Sequence, residues 1–197
     1  MVSNTYIRYS LKIDLKLYST HIIMTSKKKQ EIFTESILER SIKIPFKNIG
    51  SNLKQHLENS LKNSYESKCV EEGYIENDSI TILNYSGGLV NGQNVTFTVV
   101  FSCMLCLPIE NMIVTCSVQN ITKAGIKARL NKYKSSPMII YISRDHHYDN
   151  ELFSSLKEDD EISVKIIGHR FELYDDNISV IAELNEKKLN KKSKAVK

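Results

Sequence analysis

With 197 residues, 41% hydrophobic and 25% charged, the chain has the make-up of a folded globular protein, which excludes a disordered polymer or a fibrous repeat. Its longest apolar run, 99–108, is interrupted by Ser102 and falls well short of the roughly 20 residues of a membrane span, so no membrane contact is expected. The formal charge of +4 is unevenly placed: residues 186–197 hold six lysines and one glutamate, and the remainder is close to neutral. A free-standing nucleic-acid binder usually carries a stronger basic stripe.

Residues 1–30 read as an N-terminal extension. Leu11, Ile13, Leu15 and Leu17 alternate with polar partners, as in an added edge strand. Arg8, Lys12, Asp14 and Lys16 punctuate the same stretch, so it does not read as a signal peptide, and Met24 offers an alternative start. The next pattern predicts a strand over 32–48, with Ile37, Ile42 and Ile44 apolar and Pro45 closing it. Gly50-Ser51-Asn52 then supplies a helix N-cap, and Leu53, Leu57, Leu61 and Tyr65 recur every four residues, the stripe of an amphipathic helix ending near Lys68. Strands follow over 71–75, 80–85 and 95–105. In the last, Val95, Phe97, Val99, Phe101, Cys103 and Leu105 face one side, while Thr96, Thr98 and Ser102 face the other. Residues 31–107 thus form a β-α-β-β-β unit with a helix on one sheet face, able to bury a core of its own.

Past Pro108 the pattern changes to short strands at 112–119, 126–130, 138–142, 162–168 and 178–184, with a corner at 120–125 and a short helix near 151–156. Five short strands with a helix between the third and fourth is the layout of an oligonucleotide-binding (OB) barrel, which assigns residues 108–185 to that fold and the whole chain to the α+β class. Residues 186–197 make a basic tail too polar to fold alone; it is either a frayed end or an electrostatic contact for nucleic acid.

Nothing in this pattern builds an active centre. Cys103 and Cys106 are spaced like half a zinc site, but residues three apart on a strand point to opposite faces and no second ligand pair follows. We expect Cys69, Cys103, Cys106 and Cys116 to be free, buried thiols, with no metal or other cofactor. Asp145-His146-His147 leaves loop packing, RNA contact and acid–base or metal chemistry open. Asp159 and Asp160 read as turn formers, and His169-Arg170 as structural. Asn94-Val95-Thr96 and Asn120-Ile121-Thr122 match the glycosylation pattern by chance.

Four runs carry a family resemblance: KIPFKNIGSNLKQHLENSL, CVEEGYI, GGLVNGQNVTFTVVFSCMLCLPIENMIVTCSVQNITKAGIKARL and ISVKIIGHRFELYDDNISVIAEL. In order and spacing, from about Phe33 to Leu184, the chain resembles the seventh subunit of eukaryotic RNA polymerase II and its archaeal counterpart. The resemblance implies an N-terminal tip domain that docks on the polymerase core beside the clamp, and a C-terminal S1-type OB barrel that contacts nascent RNA. It implies no catalysis by this chain, since phosphodiester chemistry would reside in the large subunits. A small stalk partner often accompanies such subunits, and the sequence is silent on it.

Carried over by position, Pro45, Phe46 and Gly50 match the turn between first strand and helix, and Gly73 and Tyr74 match the strand start after it; these are the docking candidates. Pro108 falls at the break between domains, with Ile109 in place of the usual aromatic and Glu110 supplying the acid. The barrel departs further: Asn111-Met112 stands where a Gly commonly precedes the first strand, and Ile126 where an aromatic commonly follows the corner glycine. An aromatic face stacks a base for about 1–3 kcal/mol, so its loss weakens the expected stacking platform. The RNA-binding candidates are Lys123, Lys127 and Arg129 near the corner, with Tyr141, Arg144, His146, His147 and Tyr148 after the third barrel strand. They suit loose, sequence-tolerant binding made effective by tethering. The Lys- and Asn-rich composition fits a copy from a large DNA virus, working at the site of transcription in the nucleus or a viral factory in the host cytoplasm, or packaged in the virion. The rival readings are a stand-alone S1/OB-fold RNA-binding protein and, more remotely, a small nuclease using His146 and His147.

Overall fold

The computed structural model describes residues 32–133, 135–147 and 150–185; the expected N-terminal extension, Tyr148 and the basic tail lie outside them. The described residues fall in one compact unit. Its first half runs β1 (Phe33–Pro45), a 3-10 turn (Phe46–Asn48), α1 (Leu53–Tyr65), β2 (Cys69–Val70), β3 (Gly73–Ile75), β4 (Thr81–Tyr85), β5 (Leu89–Asn91) and β6 (Asn94–Cys106).

The long alternating run is the spine of this half. β6 pairs antiparallel with β1 along its whole length, from Phe33 opposite Cys106 to Pro45 opposite Asn94. Its other edge is shared in turn by β3, β4 and β5, which completes a six-stranded sheet. The alternation in β6 places Val95, Phe97, Val99, Phe101 and Cys103 in a core under α1, where Leu57 and Leu61 are fully buried. Apolar burial on a four-residue stripe is what holds a helix of this length. Asn52 precedes α1, but its side chain makes no capping hydrogen bond. Two details differ from expectation. Of the strand expected over 71–75 only Gly73–Ile75 is strand, β3, because residues 71–72 form a tight turn from the unexpected β2, and β5 is an additional strand whose residues are all exposed.

The second half comprises β7 (Ile113–Ile121), β8 (Gly125–Arg129), β9 (Met138–Ser143), a 3-10 turn (Asp145–His147), α2 (Glu151–Ser155), β10 (Glu161–Arg170) and β11 (Ile178–Leu184). They close into a barrel in the order β10-β11-β9-β8-β7, with β10 returning to β7 and β11 running parallel to β9. This is the five-stranded OB-type barrel expected from the strand order. Two backbone positions explain how the chain keeps its corners. A Cβ at Gly125 would collide with the Ile142 carbonyl, so β8 can approach β9 only through glycine. Asn111 has φ +65, so asparagine takes the left-handed conformation ahead of the first barrel strand. Ile126, by contrast, is 2% exposed and belongs to the barrel core. The expectation of a weakened stacking platform at that position is therefore corrected: a side chain at 126 packs inside the barrel and never meets a base.

Sheet and barrel are joined by more than the chain at Pro108. The register aligns Phe33 with Cys106, Cys106 with Tyr74, and Tyr74 with Cys69, a single cross-strand row on the sheet face away from α1. All four side chains are buried in the same cluster as the barrel core. Phe33 meets Tyr133 of the barrel edge-to-face, ring centroids 5.2 Å apart. The backbone continues the seam: the Cys69 N–H donates to the Asp175 carbonyl at 2.8 Å, and the Tyr174 N–H donates to the Cys69 carbonyl at 2.8 Å. Gly73 (φ +139) lets β3 approach so closely that a Cβ there would collide with the Cys106 carbonyl. Cys103 and Cys106 fall in separate clusters on opposite sheet faces. No helix among the described residues is long and apolar enough to cross a membrane.

Candidate nucleic-acid interface

On β8, Ile126 and Ala128 point into the barrel, so Lys127 and Arg129 must point out. The register then carries both residues across two neighbouring strands. Lys127 lies opposite Tyr141 on β9, which lies opposite Ile181 on β11; Arg129 lies opposite Ile139, then Ser179. Tyr141 is 43% and Ile181 52% exposed. Two cations, an accessible aromatic ring and an exposed aliphatic side chain therefore share one outward face. Cations can neutralise phosphates, and an exposed ring can stack a base.

Lys123 sits at the exposed turn between β7 and β8. Arg144 folds back against that turn: its Nε donates to the Lys123 carbonyl at 2.9 Å, Nη2 to the Thr122 carbonyl at 3.1 Å, and its backbone N–H to the Ala124 carbonyl at 3.0 Å. Ile121, Thr122, Lys123 and Arg144 line a shallow depression at this corner. The guanidinium carbon lies 5.2 Å from the centroid of the Phe153 ring. Phe153 is held by α2, whose first turn is capped by Asn150: its Oδ1 accepts from the Leu152 and Phe153 N–H groups.

The two histidines separate. His146 is exposed, whereas His147 is buried and stacks on Phe153 with centroids 5.2 Å apart. The His147 Nε2 accepts from the Leu184 N–H at 3.0 Å and Nδ1 lies 2.9 Å from the Ser143 carbonyl, an arrangement met by the tautomer protonated on Nδ1. Both ring nitrogens are thereby spent inside the fold. His147 pins β11 to the end of β9 and is not on the outward face.

The docking candidates also divide. Pro45, Phe46 and Gly50 are exposed at the sheet's far end, where the Phe46 N–H donates to the Gln93 carbonyl at 2.9 Å and ties their turn to the β5–β6 hairpin. Sequence reasoning named Phe46, which is 60% exposed, and missed Leu89 and Val90 on β5, which are 74% and 68% exposed. Gly73 and Tyr74 lie in the seam instead, and Tyr74 is 2% exposed. Burial pushes the thiols of Cys69, Cys106 and Cys116 up to about 12 and that of Cys103 to about 11, which leaves them poor nucleophiles.

A helix-backed antiparallel sheet fused along a buried seam to a closed five-stranded OB-type barrel defines a two-part protein of the α+β class. No family model matches the chain. It is 23% identical over 184 residues to "Putative DNA-directed RNA polymerase subunit L376" of Acanthamoeba polyphaga mimivirus, a match covering 85% of this chain and 89% of that protein. It is 26% identical over 157 residues to "DNA-directed RNA polymerase II subunit RPB7" of Glycine max, covering 71% of this chain and 85% of the relative. Each match is longer than either half of the fold and so spans the seam. The resemblance read from the sequence is borne out: the chain is RPB7-like, and one of these two relatives is viral.

Proposed function

We propose that this protein is a non-catalytic stalk subunit of a DNA-directed RNA polymerase, docked on the polymerase core by the far end of its sheet and touching nascent RNA with the outer face of its barrel. Residues 31–107 and 108–185 would divide those two tasks. The observation that carries the reading is that relatives named as polymerase subunits align across both halves. Lys127, Arg129 and Tyr141 meet on one outward face, which supports the RNA half of it.

At the docking end Pro45, Phe46 and Gly50 work with Leu89 and Val90, an apolar group whose exposure is explained by a protein partner. Gly73 and Tyr74 serve docking indirectly, by fixing the barrel to the sheet. On the barrel, Lys123, Lys127 and Arg129 neutralise phosphates, Tyr141 stacks a base, and His146 flanks them. Contact of this kind tolerates any sequence and becomes effective through tethering. The protein would act at the site of transcription, in a nucleus or a viral factory. The test is purification of the tagged full chain from native or infected cells. We expect the large polymerase subunits to co-purify; their absence would sink the stalk assignment and leave a stand-alone RNA-binding protein.

A further inference from the structure

Arg144 carries a positive charge beside the proposed RNA path, yet its geometry is turned inward. Of the edges its planar guanidinium can offer to a phosphate fork, the Nε–Nη2 edge is taken by the carbonyls of Lys123 and Thr122. The ring of Phe153 lies against the group, and Phe153 is itself 3% exposed and stacked on the buried His147. The line Leu184–His147–Phe153–Arg144 therefore runs from the last barrel strand to the β7–β8 turn, starting on the buried His147 and Phe153 and ending in the exposed bonds of Arg144 to the turn carbonyls. Within itself the turn is closed by the Thr122 N–H and hydroxyl, which donate to the Gly125 carbonyl at 2.8 and 3.0 Å, and by the Gly125 N–H, which donates back to the hydroxyl at 3.3 Å. The main chain ties it to the end of β9 through the Arg144 N–H on the Ala124 carbonyl, and the Arg144 guanidinium adds the side-chain bonds to the carbonyls of Lys123 and Thr122.

We infer that Arg144 is a positioning residue: it staples the β7–β8 turn to the end of β9 and so fixes where Lys123 presents its ammonium group, without itself contacting phosphate. The inference rests on the proposed RNA face and deepens it, because it separates a cation that binds from a cation that aims. Lysine retains the charge but cannot span two carbonyls while lying on a ring, so charge and geometry can be tested apart.

The experiment uses the full chain, a fluorescent single-stranded oligouridine as probe, and a salt titration. A phosphate contact contributes about 0.7 to the slope of log affinity against log salt for a single strand. Lys123→Gln should lower the slope by about that amount. Arg144→Lys and Arg144→Gln should both weaken binding roughly 2- to 10-fold, the scale of one or two lost hydrogen bonds, with the wild-type slope retained. Independently of RNA, Arg144→Lys should speed amide hydrogen exchange at Thr122 and Gly125 while Ile140 and Val164 keep wild-type protection. Wild-type affinity in Arg144→Lys with a lowered slope in Arg144→Gln would make Arg144 a phosphate contact and overturn the inference. So would unchanged exchange at Thr122 and Gly125 in Arg144→Lys, whether or not RNA binds. A wild-type chain that fails to bind oligouridine although its Arg144→Lys turn loosens as expected would refute the RNA face, and the aiming of Lys123 with it, while leaving the staple in place.

Discussion

The two ends of the protein expose opposite chemistry. At the far end of the sheet the exposed groups include the large apolar side chains of Phe46, Leu89 and Val90; on the barrel they include Lys127, Arg129 and Tyr141, two cations and an aromatic ring on one face. The first invites a protein surface, because exposed apolar groups gain most when another close-packed surface covers them. The second suits a flexible polyanion with π faces. Between them lies a buried seam, the row Phe33, Cys106, Tyr74 and Cys69. Close-packed interiors resist deformation, so under the proposed function a partner at one end would be held at a fixed distance and angle from a ligand at the other. The difference teaches that the proposal asks as much of the seam as of either end.

The strongest way to break that picture is to empty the seam. Tyr74→Ala removes a fully buried ring shared by sheet and barrel, and should cost about 3–5 kcal/mol in denaturant unfolding. Far-UV circular dichroism and intrinsic tyrosine fluorescence should still report one coincident transition. Two separated transitions, one at the wild-type midpoint, would mean that the halves fold independently and that no rigid strut exists.

At the apolar end, Phe46→Ala combined with Leu89→Asp and Val90→Asp should lower the yield of co-purified polymerase by roughly 30-fold or more, the scale of an interface hot spot of about 2 kcal/mol. The melting temperature should stay near wild type, since all three side chains are exposed. Undiminished recovery would move the docking surface elsewhere. At the basic end, Tyr141→Ala should cost about 1–3 kcal/mol of single-strand affinity, with the salt slope preserved. Lys127→Gln should do the reverse, with a modest loss at low salt and a slope lower by about 0.7. If both substitutions leave RNA crosslinking unchanged, RNA takes another path.

Much of this architecture could be read from local pattern. The period-2 run in β6, the stripe Leu57 and Leu61 in α1, and the order of five short strands around α2 are all set within single segments. What could not be read depends on register. The row from Phe33 to Cys69 exists only because three strand pairings align, and no one-dimensional pattern fixes them. The same applies to Lys127, Tyr141 and Ile181, where the candidates Lys127 and Tyr141 were recognisable but their shared row and the third member were not. β5 escaped because three exposed residues leave no alternation to detect. Arg144, His146 and His147 are near neighbours with separate fates, one stapled, one exposed and one buried, decided by where α2 places Phe153. Ile126 is the instructive error. Ile126, Ala128 and Leu130 alternate with Lys127 and Arg129, and that parity alone assigns 126 to the inside.

The smallest effect tests the interior that links both ends. Cys116 lies 2% exposed in the barrel core, and burial alone pushes its thiol from near 9 up to about 12. The neutral form is the protonated one, so the folded state keeps its proton over a range in which the unfolded chain has lost it. Unfolding between about pH 9 and 12 then releases a proton, and stability falls as pH rises through that window, by up to about 1.4 kcal/mol per unit for this one group; below pH 9 it contributes no slope. Cys116→Ala should lose some stability at every pH through the cavity it leaves, but it should shed less additional stability than wild type between pH 8 and 10. The difference expected in matched denaturant titrations is about 1 kcal/mol. Identical alkaline losses in the two proteins would mean that the Cys116 thiol is not shielded by the barrel core, and that the barrel wall is looser than a rigid strut requires.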